Sequence, residues 1–214
     1  MLEGATLDNA TNNNDITVAG DVTINTSSSL NLGNSSASLS ATNLNMSAGS
    51  FNTTGSALDL SGDFNLNGGI FNSSSATHAV AGDFNYNTSA TFNSGSGRIA
   101  FDGTANQNLT SNVATALDFH DLRVDKPSGA FTIGSDITAR INNRLGLLNG
   151  SVINSEASGV TLRLVGSATY ESGTDGYVSG PLQKDLDDES TGFTFRVGKG
   201  STLKPIQIVP QNGS

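Results

Sequence analysis

The sequence predicts an all-β chain wound as a right-handed parallel β-helix, with about 20 residues per coil and three short strands per coil in the N-terminal half. Three observations lead there. Leu60-Ser-Gly-Asp-Phe-Asn-Leu-Asn-Gly-Gly-Ile-Phe-Asn72 returns one period later as Val80-Ala-Gly-Asp-Phe-Asn-Tyr-Asn-Thr-Ser-Ala-Thr-Phe-Asn93. Val18-Ala-Gly-Asp-Val-Thr-Ile-Asn25 is an earlier version, and Thr42-Asn-Leu-Asn-Met46 fills the slot between. The first apolar residue of each copy (Val22, Leu44, Phe64, Phe84) recurs at steps of 22, 20 and 20 residues. A fixed period of this length marks one supersecondary unit stacked on itself. An antiparallel sandwich also uses short strands, but it does not require one motif at one offset in consecutive units.

The elements follow in order. Residues 1–15 carry no period and read as a lead-in or cap. From Ile16 apolar residues come in pairs one residue apart: Ile16/Val18, Val22/Ile24, Leu30/Leu32. Such alternation, broken by Gly, Asn and Ser, signals short strands. The next coils repeat it with Leu44/Met46, Phe51 and Leu58/Leu60, then Phe64/Leu66, Ile70/Phe71 and Val80, then Phe84/Tyr86, Phe92 and Ile99/Phe101. No stretch up to Phe101 has helical spacing. Stacking predicts one internal ladder of Val22, Leu44, Phe64 and Phe84, and a second of Phe51, Phe71 and Phe92. Phe84 is expected between Phe64 and the coil carrying Ile99 and Phe101, with Asn85 facing solvent. After Phe101 the strict period breaks, but short strands continue, so the solenoid is placed at 16–165. About ten coils are expected, on the order of 50 Å of rod at ~4.8 Å per coil. Residues 166–214 read as a strand-rich continuation with longer loops. It stops just after a strand, as a piece of a longer chain would.

A composition of 35% hydrophobic and 14% charged residues, with runs of Asn, Ser, Thr and Gly, would ordinarily suggest disorder. The regular placement of the apolar residues argues instead for a narrow ordered core. The net charge is −9 and no Lys or Arg precedes Arg98. That balance argues against nucleic acid or an anionic membrane as partner. No apolar run is long enough to span a membrane.

Two polar files repeat with the coils. Gly-Asp pairs occur at 20–21, 62–63 and 82–83. Carboxylates stacked one coil apart, Asp63 and Asp83 above all, are a candidate Ca²⁺ site, because that cation takes oxygen ligands. The structural reading is preferred: Gly supplies an unusual corner angle and Asp accepts the next backbone N–H. Asn recurs as Asn31, Asn52, Asn72 and Asn93, and in a second file as Asn25, Asn67 and Asn87. Stacked amides can bond coil to coil; an exposed amide row for sugar binding is the alternative. Hydrolases on such a scaffold need clustered acids, or acids with a base, on one face. In 16–101 the acids are sparse, and Asp185, Asp187, Asp188 and Glu189 read as a solvated loop. His78 and His120 are too separated for a metal motif. The chain is therefore read as non-enzymatic, with no catalytic residue and no cofactor.

The segment Gly176-Tyr-Val-Ser-Gly-Pro-Leu-Gln-Lys184, followed by Phe193-Thr-Phe-Arg-Val-Gly-Lys-Gly200 and Pro205-Ile206, resembles part of very large secreted surface proteins of Bacteroidetes-type bacteria. Upstream, Phe119-His-Asp-Leu-Arg-Val124 through Leu147-Leu-Asn-Gly150 is similar to the strand-rich repeats preceding it there. The resemblance covers roughly 100–209. It implies an adhesin-like, structural, extracellular bacterial chain with no catalytic residues to carry over. Expected partners are cell-surface glycans or other surface proteins, or further copies stacked end to end. The alternatives are a carbohydrate-binding module and a filament subunit.

Overall fold

The computed structural model describes residues 2–9, 11, 14–33, 37–149, 152–154, 162–186 and 192–209. Among them there are strands and turns and no helix. One parallel sheet runs through Leu2–Glu3, Val22–Asn25, Leu44–Asn52, Phe64–Asn72, Phe84–Tyr86, Gln107–Ser111, Phe131–Ile133, Val152–Asn154 and Tyr177–Ser179. The other runs through Ile16–Thr17, Ser38–Ala41, Ala57–Leu60, Thr77–Val80, Arg98–Phe101, Thr115–Asp125, Ile137–Leu148, Leu162–Leu164 and Leu182–Lys184. The chain returns to each sheet once per turn, which makes a β-solenoid of about seven turns of about 22 residues.

The predicted ladders form in register. Val22 pairs with Leu44, Leu44 with Phe64, and Phe64 with Phe84. Phe51 pairs with Phe71, and Phe71 with Phe92. Rings follow the register: Phe64 stacks on Phe84 with centroids 4.5 Å apart and planes 13° apart. Leu44, Phe64 and Phe84 are fully buried, whereas Val22, near the start of the stack, is only half-buried. The neighbour above Phe84 is Leu109; Ile99 and Phe101 continue the file of His78 and Val80 instead.

Three strand runs per coil are present, but neighbouring runs fuse. Leu44–Asn52 and Phe64–Asn72 carry the first and second runs as one nine-residue strand. Each bends where the register slips, at a glycine in the left-handed region: Gly49 at φ 71° and Gly69 at φ 75°. Thr115–Asp125 and Ile137–Leu148 instead join the second and third runs, with the slip between Phe119 and Asp121. The sharp corner thus changes place along the stack. Coils also lengthen where Phe84 meets Leu109 and Gln107 meets Phe131, so there are fewer turns than the expected ten.

Parallel pairing includes Leu2–Glu3 and Thr6–Asp8 and reaches Leu182–Lys184. Beyond that, Phe193–Phe195 pairs antiparallel with Ile206–Ile208, and Gly198–Lys199 with Thr202–Leu203. A parallel bridge from Val178 to Val197 ties this part to the last coil.

Candidate functional site

The polar side chains with regular partners lie on the outside of the coils, in files that run from coil to coil. The Gly-Asp corners form a chain of acceptors. Asn43 Oδ1 accepts the Asp63 backbone N–H at 2.6 Å, Asp63 Oδ1 accepts that of Asp83 at 2.8 Å, and Asp83 Oδ1 accepts that of Asn108 at 2.7 Å. Each corner amide is therefore satisfied by the coil before it. The glycines act differently from expectation. Gly20, Gly62 and Gly82 do not adopt positive φ. Gly62 and Gly82 are needed for room: a Cβ on Gly82 would collide with Asp63 Oδ1 and lie 2.5 Å from the Gly62 carbonyl carbon. The Asp63 and Asp83 carboxylates of the candidate Ca²⁺ pair each spend an oxygen on a backbone N–H. No group of three or more His, Cys, Asp or Glu converges among the described residues.

The first amide file is continuous. Asn52 donates to Asn31 Oδ1, Asn72 to Asn52 and Asn93 to Asn72, at 2.6, 2.6 and 2.7 Å. The second file is not the one expected. Asn25, Asn67 and Asn87 are not bonded to one another; Asn87 Oδ1 accepts from Ser89 beside it. The second ladder runs instead through the residue after each core apolar position. Asn65 donates to Asn45 at 2.9 Å, Asn85 to Asn65 at 2.8 Å, and Thr110 Oγ1 to Asn85 at 2.6 Å. Asn85 faces outward as expected, but its amide is bonded on both sides. The signal was in the sequence, as the Asn that follows Leu44, Phe64 and Phe84.

A charged file runs along the other sheet on the later coils, and sequence reasoning missed it. Asp121 is nearly buried and takes Arg98 at 3.3 Å and Arg144 at 3.0 Å, its register neighbours below and above. Asn143 Nδ2 donates to its other oxygen at 2.6 Å. Glu171 takes Arg98 at 3.1 Å and the Arg123 guanidinium through both its oxygens. Gly146 leaves the gap these groups cross, since a Cβ there would collide with Glu171 Oε2. The Arg123 hydrogen bond holds the Glu171 carboxyl below its usual range, despite burial. Arg and carboxylate alternate from coil to coil, which the linear sequence hides because the partners are 23 to 73 residues apart.

Two further polar side chains, Lys126 and His78, are buried. Lys126 directly follows the strand Thr115–Asp125. Its ammonium donates to Gly103 O, Ala105 O and Gln107 Oε1 at 2.6, 2.7 and 2.8 Å. Gln107 in turn donates to Val80 O and Gly82 O and accepts the Gly103 N–H. Together they clamp the corner where the coil expands. Burial lowers the Lys126 pKa, against the pull of Asp102 and Asp83. His78 stands in the file Leu39, Leu58, His78, Ile99 and Leu122 and is fully buried. His120 lies 4.0 Å from Asp121 and does not meet His78 in a shared site.

Of the acidic run, Asp185 is held by the Gly166 N–H and by Arg163, and that backbone hydrogen bond leads in lowering its pKa. Asp187, Asp188 and Glu189 lie outside the described residues. Apolar clefts occur near both ends of the stack. One of about 180 Å³ is lined by Leu7, Ile16, Val18, Val22, Leu30 and Leu39. The other, about 590 Å³, is lined by residues including Leu182, Phe195, Val197, Ile206 and Ile208. Chemically, the outer files hold coil to coil, and most of their donors and acceptors are already taken by neighbouring coils. Comparison with protein-family models, curated proteins and solved structures returned no match.

Proposed function

We propose that this chain is a non-enzymatic structural segment of an extracellular bacterial surface protein: a stiff, adhesin-type rod that holds a binding region away from the cell. One observation carries the reading. Main-chain ladders run the length of the stack, ring contacts join its middle coils from Phe51 to Phe131, and outer polar ladders follow the same axis, so neighbouring coils are bound by more than one kind of contact. Solenoid stability is a sum of coil and neighbour terms, and strong neighbour terms make bending costly. The outer carboxylates Asp63, Asp83, Asp121 and Glu171 are engaged in holding coils together, which supports a structural role for them rather than acid–base chemistry. The resemblance of residues 100–209 to secreted surface proteins supports the extracellular setting.

Antibody labelling of intact source cells tests the location. Surface labelling before lysis agrees with the proposal; labelling only after lysis contradicts it. Small-angle scattering tests the rod, which predicts an elongated particle. End-to-end stacking is the second reading, favoured by exposed Ile206, Ile208 and Val209 near the last coil. It predicts concentration-dependent mass in sedimentation, lost in an Ile206→Lys/Ile208→Lys variant.

A further inference from the structure

His78 interrupts an aliphatic file. Leu58 lies directly below it and Ile99 directly above, and both are buried with it. Its Nδ1 accepts the Leu58 backbone N–H at 3.2 Å. Since Nδ1 is the acceptor, the ring proton is on Nε2, which faces Ser73 Oγ at 2.9 Å. The ring packs edge-on against Phe71, with centroids 5.6 Å apart. The imidazole thus ties three segments together: the strand below, the corner at Ser73, and the phenyl ladder. It can do this only while neutral.

We infer that His78 makes the coil of residues 64–83 a proton-operated weak point in the stack, closed when the imidazole is neutral and opened when Nδ1 takes a proton. A protonated Nδ1 would point an N–H at the Leu58 N–H, turning a hydrogen bond into two opposed donors inside an apolar core. Nothing on the neighbouring elements would offset the charge. Phe64–Asn72 and Leu44–Asn52 carry no titratable side chain. On Ala57–Leu60 the only one is Asp59, which is exposed on the outer side. On Arg98–Phe101 it is Arg98, which is engaged with Asp121 and Glu171. Burial accordingly lowers the His78 pKa to about 4.

The sign follows from linkage. The unfolded segment takes a proton near the ordinary histidine value of about 6.5, and the closed coil only near 4. Above the ordinary value the proton has no effect. As pH falls from there towards 4, the open form binds the proton first and gains population. The opening equilibrium should rise about 100-fold between pH 7 and pH 4 from this group alone. The inference concerns this coil and stands whether or not the rod works at a cell surface.

Hydrogen exchange on the whole chain tests it, corrected for the intrinsic pH dependence of exchange. Amides of residues 57–60 and 73–80 should open about 100-fold more at pH 4 than at pH 7, while those of Phe131–Ile133 do not follow. In His78→Leu, which restores the aliphatic file, this acid-specific excess should vanish. Imidazole proton shifts of the unmodified chain give a second readout that needs no variant. They should show His78 neutral well below its ordinary range, with the Leu58 amide shift moving in step. An unchanged acid excess in His78→Leu, or a His78 that titrates near 6.5 without moving Leu58, would overturn the inference.

Discussion

Gly82 is a glycine because of Asp63. The Asp63 carboxylate reaches up one coil to accept the Asp83 backbone N–H, and it occupies the space a Gly82 side chain would need. The repeated Gly-Asp pair is thus one device spread over two coils: the Asp of one coil requires the Gly of the next. Gly62 relates to Asn43 in the same way.

This relationship predicts a contrast between two glycines of the same motif. Gly82→Ala puts a methyl against backbone as well as carboxylate, and overpacking of that kind costs about 1–3 kcal/mol. At Gly20 no atom lies within 4 Å of an added Cβ and φ is not positive, so Gly20→Ala should stay within about 0.5 kcal/mol of the parent. Denaturant unfolding of both variants checks this. Equal effects would mean that the Asp63 acceptor role is not what selects glycine.

Core and outer ladder should differ in size, not in kind. Phe84 is pinned between Phe64 and Leu109 and also touches Phe92 and Phe119. Phe84→Ala should cost about 3–5 kcal/mol. Asn85→Ala breaks the bond it donates to Asn65 and the bond it accepts from Thr110, at an expected cost of about 1–2 kcal/mol. The sequence reading, which took this amide as solvated, would have given about 0.5 kcal/mol or less. Equilibrium unfolding separates the two figures.

The repeat made the fold legible because stacking demands the same residue type at the same level. Phe64 over Leu44 and Phe84 over Phe64 are visible as a period, and so is the file Asn31, Asn52, Asn72 and Asn93. The charged file was not legible for the opposite reason. Arg98, Asp121 and Arg144 satisfy one another by alternating in sign, so no residue type repeats. The buried roles of His78 and Lys126 leave no period, because each occurs once in the stack. Several of their partners are main-chain groups, which leave no mark in a sequence.

Lys126 should be difficult to replace. Lys126→Met keeps the aliphatic stem but leaves Gly103 O, Ala105 O and Gln107 Oε1 without their ammonium donor. Gln107 Oε1 keeps the Gly103 N–H, but the two carbonyls lose a donor; unsatisfied buried acceptors cost roughly 1–3 kcal/mol each, so a total of about 2 kcal/mol or more is expected. Thermal unfolding measures it. A variant as stable as the parent would show that water can take over the clamp.

Chelation should matter little. Asp63 and Asp83 already give an oxygen to the next coil's N–H, so the melting temperature should be nearly unchanged by EDTA. A large drop that Ca²⁺ restores would assign the corner file to a metal.

Solution NMR on the labelled chain can detect the parallel stack itself. Parallel stacking requires contacts between backbone protons of residues 20 to 25 positions apart in the order Leu44, Phe64, Phe84 and Leu109, in the Hα-to-HN pattern of parallel strands, with ring contacts from Phe64 to Phe84. Close Hα-to-Hα contacts among these strands, the mark of antiparallel pairing, would contradict it.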